Sequence, residues 1–463
     1  MKTDLIIIGA GPGGYRAAEY AAKNGLQVVI AEADEVGGTC LNCGCIPTKT
    51  FCHHAELIDN LQKTESNGLK TLQFEVDFPA IVARKQQVVN QLRNGIETLL
   101  SQPGITLVHG QAHFKDDHTV IIGDEEYTAP NIIIATGSVP ALPPFLSPTS
   151  NTQLPTSILT STELLNIDHV PRRLCIVGAG VIGMEFASAF SSFGSQVTVI
   201  EFLKECLPPM DSDLAKRLRK TLEKRGVEFF MQSAVRNIDG HTVTFERKGK
   251  EISIEADTIL IATGRRPRTE GLDLAAAGIA CTPKGAIPVD ESFRVIRNEK
   301  SSREDLDLGG SPSIYAIGDV NGLQMLAHAA TFQGFRVVNN ILGKADDIDF
   351  TVMPSAVFTH PELAGVGPTE EQLKLSTDGN YICKKSYFRA NGKALAMDST
   401  DGIVKLLADA DGRIMACHVM GAHAADIVQE ATALIHCRAT LDNLADIIHI
   451  PPTLSELLHA ATC

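Results

Sequence analysis

The amino-acid sequence predicts an α/β protein in which one strand–helix–strand unit occurs twice and is followed by a separate α+β domain. The first copy is DLIIIGAGPGGYRAAEYAAKNGLQVVIAE, residues 4–32, and the second is RLCIVGAGVIGMEFASAFSSFGSQVTVIE, residues 173–201. Each copy contains an apolar strand, a glycine turn, an alanine-rich helix and a second strand that ends in glutamate. This pattern is typical of Rossmann-like domains, and its repetition indicates two of them.

Two further segments resemble each other and support an internal duplication. They are NIIIATGSVP, residues 131–140, and TILIATGRRP, residues 258–267, and each joins an apolar strand to Ala-Thr-Gly. From about residue 348, short strands such as GIVKLLAD and RIMACHVMGA are combined with helical stretches from Ala424 onward. This alternation predicts the C-terminal α+β domain.

The composition argues against several classes of protein. The net charge of −14 disfavours nucleic acid and anionic membranes as partners, because both are polyanions. No apolar run reaches the roughly 18 residues of a transmembrane helix. The 11 cysteines are odd in number and scattered, unlike a secreted disulfide framework. We therefore expect a cytoplasmic protein in which any disulfide is catalytic or redox-sensing.

Gly9, Gly11 and Gly14 form a G-x-G-x-x-G turn in the first copy. The first glycine permits the sharp turn, the second lets a pyrophosphate approach the backbone, and the third allows the helix to pack closely on the strand. Glu32 ends the unit at the position where a carboxylate accepts ribose hydroxyls. A glycine-rich turn without a ligand is the alternative, but the complete strand–helix–strand context favours nucleotide binding.

The second copy repeats this arrangement with Gly178, Gly180 and Gly183 and ends at Glu201. A carboxylate at this position favours NAD over NADP, because it repels a 2′-phosphate. Lys204 is the one nearby cation, and it is interpreted as a solvated surface lysine.

The segment VGGTCLNCGCIPTKT, residues 36–50, has three cysteines within six residues. Cys40 and Cys45 are too far apart on a regular helix to form a disulfide, which needs Cα atoms about 4.4 to 6.8 Å apart. Gly44 lies between them and makes a distorted turn inexpensive. A redox-active pair is the favoured hypothesis. A metal site that includes Cys52 and the two histidines after it is a second, and packing cysteines on a helix are a third.

The segment GGTCLNCGCIPTK resembles the redox-disulfide signature of the class I pyridine nucleotide-disulfide oxidoreductases, in particular the dihydrolipoamide dehydrogenases. The resemblance covers nearly the whole chain. It includes both glycine turns and the segments ATGS, ATGRRPRTEGL, IYAIGDVNGLQMLAHAA, PSAVFTHPELAGVGPTEEQ and PTLSE.

The resemblance implies an enzyme with bound FAD that oxidises dihydrolipoamide and reduces NAD⁺. Cys40 is then the thiol that exchanges with substrate, and Cys45 is the thiolate beside the flavin. Lys49 is expected near the flavin and paired with Glu185, although a surface salt bridge is the alternative.

The resemblance also implies the remaining cofactor contacts and the domain ranges. Asp319 is expected to bind the ribityl or pyrophosphate part of FAD, and His328 is either a flavin contact or a core histidine. The expected ranges are residues 1–145 and 276–345 for FAD, 146–275 for NAD and 346–463 for a dimerisation domain, which implies a homodimer. The further residues expected to line the flavin or support the cofactors are Met325, Leu326, Ala327, Thr136, Gly137 and, toward NAD, Gly264.

Two positions depart from the family pattern. Cys43 stands where the family usually has an aliphatic residue, and it is interpreted as a packing residue or as a third thiol able to reshuffle the disulfide. The second departure is at the C-terminus, where the family sequence HAHPTLSE is matched here by HIPPTLSE. Pro451 occupies the place of the histidine that deprotonates the incoming thiol, and proline has no titratable group.

The residues around Pro451 offer partial substitutes. Glu456 matches the glutamate that holds the family's catalytic histidine. His449, two residues upstream of Pro451, is the candidate replacement base, and His459 is a weaker one. A positioned base typically contributes about 10² to 10⁴-fold to a rate, so the vacancy bears directly on activity.

Three functions follow from these observations. The first is oxidation of dihydrolipoamide carried by a lipoyl-bearing acyltransferase or carrier protein. The second is NADH-dependent reduction of another disulfide, a quinone or a metal substrate, for which a base is less important. The third is a flavin-bound structural or redox-sensing subunit without turnover, which the intact cysteine pair argues against.

Overall fold

The structure, a computed structural model, describes residues 1–62, 68, 70, 74–146, 155–297 and 313–462. Among these residues, no helix is both long and apolar enough to cross a membrane. The strands are β1 Leu5–Ile8, β2 Val28–Glu32, β3 Ile105–His109, β4 Ala112–Phe114, β5 Thr119–Ile122, β6 Glu125–Thr128, β7 Asn131–Ile134, β8 Ser138–Pro140, β9 Ile158–Leu159, β10 Arg173–Val177, β11 Gln196–Ile200, β12 Glu228–Phe230, β13 Ser233–Asp239, β14 Thr242–Arg247, β15 Lys250–Glu255, β16 Thr258–Ile261, β17 Arg265–Pro267, β18 Ser313–Ala316, β19 Ser355–Val357, β20 Glu362–Val366, β21 Ile382–Tyr387, β22 Ile403–Ala408 and β23 Ile414–Gly421.

The helices follow the same chain order. They are α1 Pro12–Lys23, α2 Gly38–Asn42, α3 Cys45–Gln62, α4 Phe78–Leu100, α5 Ser161–Leu164, α6 Val181–Phe193, α7 Ser212–Lys224, α8 Ala327–Ile341, α9 Glu370–Ser376, α10 Gly392–Ala396, α11 Ala424–His436, α12 Leu441–Ala445 and α13 Glu456–Ala460.

The chain forms two compact units, each built from three segments. The first unit comprises Met1–Pro47, Ala83–Ala141 and Gly264–Ile348, and the second comprises Thr48–Val82, Leu142–Thr263 and Asp349–Cys463. The domain ranges expected from the resemblance stay predictions, because this division by compactness does not test them.

A five-stranded parallel sheet of order β18-β7-β1-β2-β3 forms the centre of the first unit. All four residues of β1 are buried, as expected for a central parallel strand covered on both faces. Alanines on α1 are buried as well. The predicted strand–turn–helix–strand unit is therefore present as β1, α1 and β2.

The second unit repeats this plan with a parallel sheet of order β12-β11-β10-β16-β9. Helix α6 connects β10 to β11 and ends at Phe193. The next residue, Gly194, has a φ of +102°, in the left-handed region that favours glycine. The same unit contains a five-stranded antiparallel sheet of order β19-β20-β23-β22-β21, followed by α11, α12 and α13. The predicted α/β class with two Rossmann-like folds and a C-terminal α+β region is confirmed.

A buried lysine in β22 holds together three segments of the second unit. Lys405 Nζ lies 2.7 Å from Asp211 Oδ1 and 2.8 Å from Glu370 Oε2, and the side chains of Lys405 and Asp211 are both 0% exposed. Burial by itself raises the pKa of Glu370, but hydrogen bonds from Lys405, Tyr381 and Lys374 outweigh it and lower the pKa to about 2. The cluster is therefore ionised at neutral pH, and its charges are paired.

We predict that Lys405→Met destabilises the protein by about 3–5 kcal/mol at pH 7, because buried carboxylates lose their cation. Urea denaturation measures this loss. The pKa of Glu370 is depressed by folding, so the stabilisation from the pair is present above about pH 4.5 and fades as the pH falls toward 2. The difference in the free energy of unfolding between Lys405→Met and the wild type should therefore decrease as the pH falls from about 4.5 toward 2.

Lys374→Met is the matched control for this variant. Lys374 also contacts Glu370, at 3.2 Å, but its side chain is 56% exposed. We expect a loss of at most about 1 kcal/mol from this substitution. Equal losses in the two variants would contradict the special role of the buried lysine.

Candidate active site

The turn between β1 and α1 gives each fingerprint glycine a different environment. Gly9 has a φ of +104°, and a Cβ there would lie 2.5 Å from the oxygen of Ala135. A Cβ on Gly14 would lie 1.9 Å from the oxygen of Gly9. Gly11 would meet only the Cα of Gly38, at 3.8 Å. The first and third positions therefore need glycine for packing, whereas the backbone at the second is open to a ligand.

The turn between β10 and α6 repeats this geometry in the second unit. Gly178 has a φ of +107°, and its Cβ would lie 2.4 Å from the oxygen of Ala262. A Cβ on Gly183 would lie 2.0 Å from the oxygen of Gly178, and one on Gly180 would meet nothing within 4 Å. Both turns thus fit a dinucleotide phosphate against the amides at a helix N-terminus.

The glutamates at the ends of β2 and β11 close their own glycine turns. Glu32 accepts hydrogen bonds from the amides of Ala10 at 2.8 Å and Asp34 at 3.0 Å. Glu201 accepts from the amide of Ala179 at 2.6 Å. A carboxylate has about four acceptor sites, so both side chains can still accept ribose hydroxyls. This bracing role, present in both copies, was not predicted from the sequence.

The helix carrying the cysteines is interrupted between Cys40 and Cys45. Helix α2 ends before Cys43, whose backbone (φ −146°, ψ 28°) is not helical, and α3 begins at Cys45. A Cβ on Gly44 would lie 2.8 Å from the oxygen of Thr39 and 3.4 Å from the Cα of Cys40. The chain around Cys40 therefore packs directly on Gly44, which is the distortion that the disulfide hypothesis requires.

The surroundings of the cysteine thiols bear on their reactivity. Cys40, Cys43 and Cys45 are each partly exposed. Desolvation, with the charge of Glu185, raises the pKa of Cys52. The raised pKa favours the neutral form of the Cys52 thiol, which makes it a weaker nucleophile than an ordinary cysteine.

A group of three potential metal ligands lies elsewhere in the first unit. Among the described residues, Asp116, Asp117 and His118 alone bring three such ligand atoms within 4.8 Å of one another. Arg297 already pairs with Asp117 at 3.0 Å. The cysteines of residues 36–50 are not part of this group.

Lys49 lies one helical turn after Cys45 and pairs with Glu185. Its Nζ is 2.7 and 2.9 Å from the two carboxylate oxygens, and 4.6 Å from the ring centre of Phe358. The amide of Phe358 also donates to Glu185 at 2.9 Å. The Glu185 side chain is 4% exposed and that of Lys49 is 30% exposed, so the lysine binds both oxygens of a buried carboxylate and the pair is not the surface salt bridge considered as an alternative.

Asp319 lies in a 3₁₀ turn between β18 and α8. Ser138 donates its hydroxyl to Asp319 Oδ2, and Arg265 donates to the same hydroxyl at 2.7 Å. Gln333, which is 1% exposed, accepts from the amide of Gly318 at 2.7 Å and fixes the backbone before the aspartate. Asp319 therefore has its side chain fixed by Ser138 and the backbone before it fixed by Gln333.

The other expected flavin residues lie in the same unit as Asp319. Met325 and Leu326 precede α8, and Ala327 and His328 begin it. His328 is exposed within the chain, so it is not a core histidine here. Thr136, Gly137 and Gly264 also belong to this unit, although Gly264 was expected on the NAD side.

The C-terminal segment contains no imidazole in the usual place. Pro451 is exposed, and Glu456 accepts from the amide of Thr453 at 2.8 Å. His449 instead lies 2.9 Å from Glu430 through Nε2 and 3.0 Å from the oxygen of Ile447 through Nδ1. Both partners only accept, so both nitrogens must carry hydrogen for both bonds to form. As a base, His449 has to break one of these contacts.

Several functional candidates were missed from the sequence. Glu430 is 19 residues from His449, and Phe358 is 173 residues from Glu185, so folding alone brings each pair together. Ser138 and Arg265 did carry a signal, because they follow the glycine of the two repeated Ala-Thr-Gly segments.

We predict that Lys49→Met lowers stability by about 3–5 kcal/mol, because it leaves the buried Glu185 carboxylate unpaired. The combined variant Lys49→Met with Glu185→Gln should lose less than Lys49→Met alone, since no charge is then stranded. Lys23→Met, which breaks an exposed pair with Glu19, is the control and should cost about 0.5 kcal/mol or less. Urea denaturation measures the free energy of unfolding of each variant. A combined variant that loses as much stability as Lys49→Met alone, or more, would contradict the pairing.

Comparison with known proteins identifies the family to which this chain is related. Residues 3–334 match the family described as pyridine nucleotide-disulphide oxidoreductase, and residues 353–462 match its dimerisation domain. Dihydrolipoyl dehydrogenase 1, mitochondrial, from Arabidopsis thaliana is 37% identical, with 99% of this chain and 90% of that protein covered. Dihydrolipoyl dehydrogenase from Geobacillus stearothermophilus is also 37% identical, with 99% and 95% covered.

A solved structure of a related protein has the same fold as this chain. The HOCl-induced flavoprotein disulfide reductase RclA from Escherichia coli, solved as a Cu(II) complex, has a TM-score of 0.85 and 30% identity over 100% of this chain and 99% of its own. FAD and NAD(H) are the cofactors that the family match and the dihydrolipoyl dehydrogenase relatives support. The glycine turns, the broken cysteine helix and these matches together show that the chain belongs to the pyridine nucleotide-disulphide oxidoreductase family.

Proposed function

We propose that this protein uses NADH to reduce an acceptor that does not require a thiol to be deprotonated, such as a quinone or an oxidised metal ion. The observation that carries the proposal is the C-terminal segment, where Pro451 replaces the family's base and both nitrogens of His449 are engaged. A dithiol substrate needs a base, because a free thiol is only slightly ionised near neutral pH.

The chain's own residues fit both cofactors in this proposal. An added Cβ at Gly11 would meet only the Cα of Gly38, at 3.8 Å, and one at Gly180 would meet nothing within 4 Å. This room would let the turns hold the FAD and NAD phosphates, with Glu32 and Glu201 accepting the riboses. When bound, FAD would supply the two-electron chemistry between NADH and the cysteine pair. Asp319 follows β18 at the same carboxyl edge of the parallel sheet as the Gly9 turn, and it would also hold the flavin.

Cys40 and Cys45 would be the protein's own electron carriers. As a disulfide they take up two electrons and become thiolates, and as thiolates they give two electrons to the acceptor and return to the disulfide. Two one-electron acceptors such as Cu(II) would each take one electron and become Cu(I). RclA was solved as a Cu(II) complex, so a protein of the same fold, 30% identical to this chain, binds such an ion.

Oxidation of dihydrolipoamide with NAD⁺ is the second candidate, supported by the dihydrolipoyl dehydrogenase relatives at 37% identity over nearly the whole chain. In this case His449, after release from one partner, would take the proton from the thiol, and Glu456 would help to place it. A lipoyl-bearing acyltransferase or carrier protein would supply the substrate. Neither candidate calls for nucleic acid or a membrane as a partner, and a cytoplasmic location is proposed for both.

The dimerisation-domain match over residues 353–462 supports a homodimer. We propose that the dimer is the working form. The dihydrolipoamide candidate would require it, because the resemblance implies that the C-terminal segment acts on the active site of the other subunit. Light scattering of the flavin-bound protein measures the assembly.

Kinetics with several substrates separate the two candidates. The rate with NADH and a quinone or Cu(II) is compared with the rate with dihydrolipoamide and NAD⁺, for the wild type and for Cys40→Ser. We expect the NADH-driven rates to be the larger, and Cys40→Ser to lower them. A dihydrolipoamide rate that exceeds every NADH-driven rate would overturn the proposal.

We predict that Pro451→His raises the dihydrolipoamide rate by roughly 10²-fold or more, because it returns a base to the family position. The NADH-driven rate with a quinone should change less than about twofold, since that reaction does not use a base. His449→Asn is the matched variant. A loss of dihydrolipoamide activity in it would identify His449 as the working base and favour the second candidate.

A further inference from the structure

The two repeated Ala-Thr-Gly segments pair with each other in the first unit. Strands β8 and β17, which follow them, are antiparallel, and Ser138 lies opposite Pro267 in the register. Gly137 and Gly264 have φ values of +72° and +118°, so both segments turn in the left-handed region before they pair. The amide of Ala141 donates to the oxygen of Gly264 at 2.9 Å. The duplicated motifs thus form one two-stranded ribbon.

Equivalent positions of the two motifs meet across this ribbon. Arg265 donates from Nε to the hydroxyl of Ser138 and from Nη2 to its carbonyl oxygen, both at 2.7 Å. Ser138 is 5% exposed, so its hydroxyl depends on these protein partners. The guanidinium fork matches the two serine oxygens, an arrangement that a lysine ammonium does not reproduce.

The direction of the hydrogen bonds follows from the chemistry of the three groups. An arginine donates only, and an ionised carboxylate accepts only. The Ser138 hydroxyl accepts from Arg265, so its own hydrogen is directed to Asp319 Oδ2. The relay therefore runs one way, from the guanidinium through the hydroxyl to the carboxylate.

The same guanidinium also lies near the cysteine helix. Arg265 Nη2 is 3.5 Å from the hydroxyl oxygen of Thr39, which directly precedes Cys40 on α2. At this distance the hydrogen bond is weak, and it contributes little energy. One side chain of the first unit thus touches the ribbon and the helix of Cys40, and through Ser138 it reaches Asp319.

We propose that Arg265 is a positioning residue for the flavin, which acts through Ser138 to fix the Asp319 carboxylate. The proposal rests on the role of Asp319 in holding FAD. With Oδ2 occupied by Ser138, the carboxylate is held in one orientation, and Oδ1 is left to accept a flavin hydroxyl. Loss of the guanidinium frees the serine hydroxyl to rotate, and the carboxylate then loses its fixed donor.

The chain provides a matched control in the next residue. Arg266 belongs to the same strand and motif, but it is exposed and pairs with Glu270 on the surface. Its guanidinium bonds to Glu270 and takes no part in the hydrogen bonds that link Arg265, Ser138 and Asp319. A substitution there removes the same charge at nearly the same place without touching Ser138.

The test measures how fast FAD leaves the purified holoenzyme after dilution, by the rise in flavin fluorescence. Arg265→Gln and Ser138→Ala should each release FAD about tenfold faster or more, as expected for loss of a hydrogen bond to a charged group. Arg265→Lys should lie between the wild type and Arg265→Gln. The double variant should release FAD no faster than the faster single variant, because both changes break one relay. Arg266→Gln should stay within about twofold of the wild type.

A spectroscopic measurement separates positioning from general loss of structure. The midpoint potential and the visible absorbance of the bound flavin should shift in Arg265→Gln and Ser138→Ala but not in Arg266→Gln. If Arg265→Gln does not accumulate as a folded holoenzyme, Ser138→Ala carries the same comparison with its smaller change in volume.

Three outcomes would overturn the relay. The first is an equal rate of FAD release from the Arg265→Gln and Arg266→Gln variants. The second is a rate for the double variant that is raised by the product of the two single-variant factors. The third is no change in Asp319→Asn, which would remove the premise. FAD release needs no turnover, so a wild type that holds FAD but reduces no acceptor contradicts the proposed function and leaves the relay standing.

Discussion

The close approach of a helix to a strand end, without any side chain between them, is the constraint on which both nucleotide turns depend. A Cβ at Gly14 or Gly183 would lie within about 2 Å of the oxygen of the first glycine of its own turn. With hydrogen in its place, the helix N-terminus packs directly behind the turn, and its amides converge on the space in front of the second glycine. The parallel sheets supply the rigid base, because their central strands are buried on both faces.

The carboxylates show how one geometry serves two purposes. Glu32 and Glu201 each brace the glycine turn through the amide two residues before its helix, and each keeps acceptor capacity for a ligand. Glu185 likewise combines two kinds of partner, because it accepts hydrogen bonds from the ammonium of Lys49 and from the amide of Phe358. In all three places a buried or half-buried charge is satisfied by fixed donors. This limits the desolvation cost and holds the side chain in one orientation.

The two halves of the proposed chemistry differ in how completely the chain provides for them. The electron-carrying part is represented by two glycine turns with room for a phosphate, a helix broken between two cysteines and an ion pair around the buried Glu185 carboxylate. The proton-transfer part lacks its usual base. Glu456 binds a backbone amide, and His449 is engaged by Glu430 and a carbonyl oxygen. This imbalance favours acceptors that take electrons without a thiol proton having to be removed.

The sequence by itself determined the fold class, the two glycine turns, the break at Gly44 and the vacancy at Pro451. These features depend on local rules: strand and helix periodicity, the φ values open to glycine, and the absence of a titratable group on proline. The tertiary structure alone decided the pairings between distant residues. It joined Glu430 to His449, buried the Lys49–Glu185 pair, and brought Ser138 and Arg265 together at Asp319. Sequence separations of 19 to 181 residues carry no information about contact, because such contacts form only when sheets and turns place their ends together.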